Sequence, residues 1–174
     1  MTTQAGQALA RRVLESLAQR AETVATAESL TGGLLSARFT DVPGASRSFV
    51  GGVVSYATRI KVSVLEVPAD LVARHGVISE QCATAMARGV RTRLDATWGV
   101  ATTGVAGPER QEGRSVGTVW VAVAGPGQVE TRELALDGDR QTIRRASCDA
   151  ALSLLDGVLT REHGILPREE PGLG

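Results

Sequence analysis

The feature that most restricts the fold of this sequence is a three-residue link, Gly125-Pro126-Gly127, between two Val-rich runs, Val116 to Ala124 and Gln128 to Leu136. So short a connection joins only antiparallel neighbours, since a parallel crossover takes a dozen residues or more. Upstream the pattern differs. Leu9, Val13 and Leu17 recur every four positions from Gln7 to Arg20, with Arg11, Arg12 and Glu15 between them, and predict an amphipathic helix. Thr23 to Ala27 and Phe49 to Tyr56 predict strands, the second with Gly51-Gly52 marking a bulge or a close backbone approach. Leu34 to Phe39 and Thr58 to Leu65 predict helices. Pro68 and His75-Gly76 fit the first turn and the stop of another. Ser79 fits the cap of a helix through Leu94, with Cys82, Met86 and Val90 as its apolar stripe, and Thr97 to Thr103 predicts a third strand. Asp139 fits the cap of a last helix reaching about Thr160, with Ile143, Ala146, Ala150, Leu154 and Val158 on its inner side.

Helices alternating with three strands, then a hairpin and a helix, predict an α/β fold: a three-layer α/β/α domain on a mixed five-stranded sheet. The antiparallel step argues against a purely parallel Rossmann sheet. The expected division is a single domain over 1–163 and a mobile tail over 164–174.

Composition excludes several functions. The 174 residues carry 19 Lys plus Arg against 19 Asp plus Glu, with no basic block, so no nucleic-acid partner is expected. No apolar run of membrane-spanning length and no signal-peptide pattern occurs, so no membrane association is expected. Cys82 and Cys148 are too few for a disulfide framework, and a reduced, cytoplasmic setting is expected. Of the 19 bases, 18 are Arg and one is Lys61; Tyr56, five residues earlier, is the only Tyr.

In open α/β sheets, ligands bind beyond the carboxyl ends of the strands. Two Gly-rich loops fall there: Glu28-Ser29-Leu30-Thr31-Gly32-Gly33, and Thr103-Gly104-Val105-Ala106-Gly107. Ser29 at a strand-to-helix turn, with backbone N–H groups behind it, suits phosphate binding or acyl transfer. It equally suits a plain structural role, in which Ser29 or Thr31 caps the helix. A serine nucleophile needs a base. The two histidines, His75 and His163, sit at a helix end and in the tail, and there is no Gly-x-Ser-x-Gly elbow. A desolvated lysine is the other solution, and Lys61 is the one candidate, with Tyr56 placed to relay a proton or orient the amine. A solvated helix lysine and a strand-end tyrosine fit the same positions. Metal-ligand spacings, a Walker A loop and a dinucleotide fingerprint are all missing, and Asp137-Gly138-Asp139 reads as a turn with a cap. Arg140 and Arg144 share a helix face and could meet an anionic substrate, though a solvated face is the commoner meaning.

Six motifs in order resemble the C-terminal domain of the CinA, competence/damage-inducible family, including its stand-alone nicotinamide-nucleotide amidases. They are Ala27 to Gly33; Gly52 to Tyr56 with Lys61; His75 to Glu80; Thr103 to Pro108; Val116 to Val119; and Gly138 to Arg140 with Ile143-Arg144. The resemblance runs from about Thr23 to Leu159. It implies a mixed sheet with one antiparallel strand, a homodimer, no metal and no cofactor. It also implies hydrolysis of nicotinamide mononucleotide, a small-molecule nucleotide, to nicotinate mononucleotide and ammonia. Carried over by motif, Ser29 is the nucleophile, Lys61 its base and Tyr56 an assisting hydroxyl. Glu28, Thr31, Gly32 and Gly33 belong to the substrate and oxyanion loop, while Thr103, Gly104, Gly107, Arg140 and Arg144 are expected to hold the ribose phosphate. The competing reading is a non-catalytic nucleotide- or partner-binding module linked to competence and DNA damage.

The sequence also departs from the pattern. Many relatives have Cys at Leu30 and Asn at Thr58, and their Gly-Gly-rich loop ending in Lys-Pro is here the shorter, more charged Glu109 to Ser115. That loop bears on substrate identity more than on reaction class. The nucleotide-processing domain preceding this one in longer relatives is absent from the sequence, so no pyrophosphatase activity is expected.

Overall fold

The computed structural model describes residues 3–163. In chain order these form α1 (Thr3–Gln19), β1 (Val24–Glu28), α2 (Leu34–Thr40), β2 (Phe49–Val54), α3 (Thr58–Ser63), α4 (Ala69–His75), α5 (Glu80–Arg93), β3 (Trp98–Gly104), β4 (Thr118–Gly125), β5 (Gln128–Ala135) and α6 (Arg140–His163). The five-stranded sheet has the order β2-β1-β3-β4-β5. β1 pairs parallel with β2 and β3, whereas β4 is antiparallel to both β3 and β5. The single reversed strand is thus β4. The hairpin is tighter than its three-residue link: Gly125 pairs with Gln128, leaving Pro126 and Gly127 as the loop. Gly127 has φ +75°, and Pro followed by a positive-φ Gly is the pattern of a type II turn.

Strand alternation sorts the sheet into a bulky face and a thin one. Val24, Trp98, Val100, Val119, Val121 and Val123 pack with α1, α2 and α6. Ala25, Ala27, Ala101, Ala122 and Ala124 pack with α5 and the segments around α4. The thin face lets α5 lie almost on the backbone of β3: a Cβ on Gly99 would stand 2.0 Å from the Ala87 carbonyl oxygen. The Gly51-Gly52 signal marks both features it suggested. The β1–β2 register skips one residue at Val50, and a Cβ on Gly52 would lie 2.2 Å from Thr26 Oγ1 and 2.6 Å from Ser36 Oγ.

Ser79 caps α5 by accepting from Cys82 N–H (3.2 Å), and Asp139 Oδ1 accepts from Thr142 N–H at the start of α6 (2.7 Å). The inner stripe expected for α6 needs correction. Ile143, Leu154 and Val158 are buried, but Ala146 and Ala150 are only half-buried; Ser147, Cys148, Ala151, Leu152, Leu155 and Leu159 are buried instead. The helix packs against the sheet and against α1 and α2 together, so a single-stripe reading is too narrow. The tail expected over 164–174 lies outside the described residues. No described helix is long and apolar enough to cross a membrane.

Candidate active site

The carboxyl ends of β1, β2 and β3 face the same edge of the sheet, and the chain leaving each contributes to one pocket. Ser29 follows β1, Tyr56 follows β2, and Thr103 and Gly104 close β3. Together with Lys61, Gly107 and Arg140 they line that pocket.

The helix-cap alternative for Ser29 and Thr31 does not hold here. The residue at the N-terminal boundary of α2 is Gly33, with φ +94° and no side-chain cap. The first-turn N–H groups are met from the preceding strand. Glu28, 0% exposed, accepts from Gly33 N–H (3.0 Å) and Leu35 N–H (3.0 Å) on Oε2, and from Ser36 N–H (2.8 Å) and Ser36 Oγ–H (2.6 Å) on Oε1. A carboxylate placed there also complements the positive end of the helix. Ser29 Oγ is thereby released from capping.

Lys61, on α3, reaches across to it. Its Nζ lies 3.0 Å from Ser29 Oγ and 2.7 Å from the Ser55 carbonyl oxygen. The side chain is 1% exposed, and among the described residues no carboxylate stands within ion-pair distance of it. Burial holds the ammonium below the ordinary lysine range, partly opposed by Cys82 and Glu112. Cys82, behind Lys61, is itself pushed up to about 11 by burial and remains a neutral thiol at neutral pH.

Tyr56 is 60% exposed, and its hydroxyl accepts from Arg140 Nη2 (2.9 Å) rather than bonding to Ser29 or Lys61. The structure therefore puts it on the pocket rim with Arg140, away from the expected contact with the amine. Arg140 also donates from Nη1 to the Gly107 carbonyl (2.7 Å), so one guanidinium spans the mouth. Gly107, at φ +86°, has no room for a Cβ, which would meet Val116 Cγ1 at 2.9 Å. Thr103 Oγ1 donates to the Val77 carbonyl (2.6 Å), so its hydroxyl hydrogen is committed there.

Five residues expected at the substrate do not line the pocket: the Glu28 and Thr31 side chains are buried in the fold, the Arg144 side chain turns to the loop backbone, and Gly32 and Gly33 lie outside the lining. Glu28 is occupied by α2. Thr31 is fully buried with Oγ1 2.7 Å from Thr102 Oγ1, while Gly32 and Gly33 donate their N–H groups to Ser29 O and Glu28. Arg144 binds loop carbonyls. The pocket also gains Leu30, Val77 and Ile78 from within the motifs and Glu109 and Gln111 from the charged loop, none of them given a site role by the sequence. Glu112 fastens the charged loop over this side, accepting from Val77 N–H (2.9 Å) and Ile78 N–H (3.3 Å).

A three-layer α/β domain that holds a buried lysine against a serine, at the carboxyl ends of its parallel strands, defines the class of protein. Residues 6–159 match the sequence model of the CinA C-terminal domain, and the chain belongs to that family. It is 54% identical over 147 residues to a CinA-like protein of Frankia casuarinae, covering 84% of this chain and 34% of that protein. A CinA-like protein of Gemmatimonas aurantiaca is 45% identical over 157 residues, covering 90% of this chain and 37% of that one. The chain thus spans about a third of the length of these curated relatives. Solved structures match along nearly their whole length. A competence-damaged protein (CinA) superfamily protein from Klebsiella pneumoniae has a TM-score of 0.87 at 34% identity, covering 90% of this chain and 98% of its own. The competence/damage-inducible protein CihA of Agrobacterium tumefaciens has 0.85 at 34%, with coverages of 89% and 95%.

Proposed function

We propose that this domain hydrolyses a carboxamide C–N bond through Ser29 and Lys61, with nicotinamide mononucleotide as substrate and nicotinate mononucleotide and ammonia as products. The observation that carries the reading is Lys61: an almost fully buried amine with no carboxylate in ion-pair distance among the described residues, 3.0 Å from a serine oxygen. As a neutral amine it accepts the hydroxyl proton while Ser29 Oγ attacks the carbonyl carbon. The resulting ammonium then protonates the leaving nitrogen, and ammonia departs to leave an ester on Ser29. Lys61 next takes a proton from water, whose oxygen attacks the ester, and returns it to Ser29 Oγ as the ester bond breaks, freeing Ser29 and the acid, which ionises to the carboxylate. The Ser55 carbonyl accepts from the amine and keeps it aimed during both transfers. Arg140 at the mouth supplies a cation for the distant phosphate, whose binding holds the carboxamide in attack geometry.

Incubating the protein with nicotinamide mononucleotide and measuring ammonia tests the reading. Release that disappears in Ser29→Ala is expected. No release, together with nucleotide binding unchanged by Ser29→Ala, would assign a binding module instead.

A further inference from the structure

The guanidinium of Arg144 does not reach the pocket, and its bonding is unusual for a cation near a substrate site. Nε donates to the Leu30 carbonyl (3.0 Å) and Nη2 to the Thr31 carbonyl (2.6 Å), the two carbonyls that directly follow the nucleophile. Among the described residues no carboxylate forms an ion pair with it. It stands on the second turn of α6, in the layer below the loop.

The N–H groups of this loop divide cleanly. Those of Ser29, Gly32, Gly33 and Leu34 donate to Thr102 O, Ser29 O, Glu28 Oε2 and Thr31 O. Those of Leu30 and Thr31 donate to no acceptor among the described residues, although both residues are buried. Buried backbone donors without partners are rare and costly, and two in succession beside a nucleophile make a concavity for an anion. In a trans peptide the carbonyl and the following N–H point in opposite directions. Holding the Leu30 carbonyl towards α6 therefore turns the Thr31 N–H away from α6. A cation on the two carbonyls also polarises their peptides, whose N–H groups are those of Thr31 and Gly32: the first is a donor left free, and the second donates to Ser29 O, the carbonyl of the peptide that carries the Leu30 N–H.

We infer that Arg144 is a positioning residue: it clamps the Leu30 and Thr31 peptides so that the N–H groups following Ser29 form the oxyanion site. The inference rests on the serine–lysine reading, but its test separates the two. A fluorophosphonate reports the nucleophile and its oxyanion donors whatever the natural substrate. Ser29 Oγ bonds to phosphorus, the phosphorus–fluorine bond breaks, fluoride leaves and Lys61 takes the hydroxyl proton.

Arg144→Lys retains the charge but not the two-pronged grip. It is expected to lower the rate constant of Ser29 labelling about 100-fold, the size of effect that follows loss of an oxyanion donor. The final extent of labelling should stay complete, which distinguishes slow attack from an unfolded fraction. With nicotinamide mononucleotide, kcat should fall in step while KM is unchanged. In Arg144→Ala, added guanidinium salt should restore part of the labelling rate. Unchanged labelling in both variants overturns the inference and leaves the amidase reading standing, as does a raised KM with unchanged kcat. A wild-type protein that labels but releases no ammonia removes the substrate while the rate comparison still decides Arg144. A wild-type protein that neither labels nor turns over overturns both.

Discussion

Replacing Glu28 by Gln tests whether the nucleophile loop stands on the carboxylate beneath it. Glu28 accepts four hydrogen bonds, two on each oxygen. An amide has one oxygen, and its least damaging orientation keeps that oxygen towards Gly33 and Leu35 N–H. The NH2 then faces Ser36. The Ser36 hydroxyl can turn to accept, but the Ser36 N–H is left buried against another donor. Losing one charge-assisted bond costs about 1.5–3 kcal/mol, and reducing two more to neutral strength adds roughly 1 kcal/mol each, so the expected loss is about 3–5 kcal/mol. In a chain of this size that lowers the thermal midpoint by roughly 6–20 °C. Urea titration should show the midpoint falling with an unchanged slope, since the surface exposed on unfolding does not alter. Ammonia release should fall more than the unfolded fraction explains, because Ser29 lies between Glu28 and the N–H groups it holds. A destabilisation below about 1 kcal/mol would refute the reasoning, since it is less than one buried donor left unsatisfied.

Two further outcomes follow from the same geometry. Activity should rise with pH as Lys61 loses its proton and fall on the acid side as the amine is protonated, with a midpoint below the free-lysine value of about 10.4 because burial disfavours the ammonium. Between the lowered folded value and the unfolded one, the unfolded chain binds the extra proton, so the Lys61 contribution makes stability rise with pH across that window. Lys61→Arg should remove both turnover and this rise, as a guanidinium does not give up its proton; an unchanged acid limb in that variant would place the base elsewhere. The resemblance to the family also carries the expectation of a homodimer. β2 offers an edge without charged residues, where Val50 and Val54 are 48% exposed, whereas the opposite edge strand β5 carries Glu130, Arg132 and Glu133. Val50→Lys should therefore shift a dimer to monomer in light scattering, and an intact dimer would move the interface away from β2.

Much of the framework was legible because it is written in local signals. A three-residue link forces a reversed strand, Ser79 and Asp139 cap their helices, and Gly52 leaves space for Thr26 and Ser36. Ser29 and Lys61 were legible as chemistry, since a serine needs a base and the chain holds one lysine. Their 3.0 Å approach was not, because it depends on where the fold brings α3 relative to the carboxyl end of β1. The α6 stripe misled because helical periodicity records one buried face, and this helix buries more than one. Tyr56 misled for another reason: it is near Lys61 in sequence, yet at the end of β2 its hydroxyl meets Arg140 from a distant helix.

Glu28 and Arg144 carry the larger lesson, since both were read as substrate contacts from position and charge. Each charge is instead turned on the backbone of the nucleophile loop, one on N–H groups and the other on carbonyls. A backbone group has no letter in the sequence, so a charged side chain that serves it looks identical to one awaiting a ligand. The arrangement has a physical logic. A loop that leaves a serine hydroxyl uncapped and, among the described residues, two N–H groups unpaired does not hold itself with its own polar groups. Its order has to come from outside, from a carboxylate on the strand before it and a guanidinium on a helix over a hundred positions later. Stability and reactivity are therefore coupled at these two side chains: weakening either anchor lets the free groups find partners of their own, and the loop becomes easier to satisfy and less able to act.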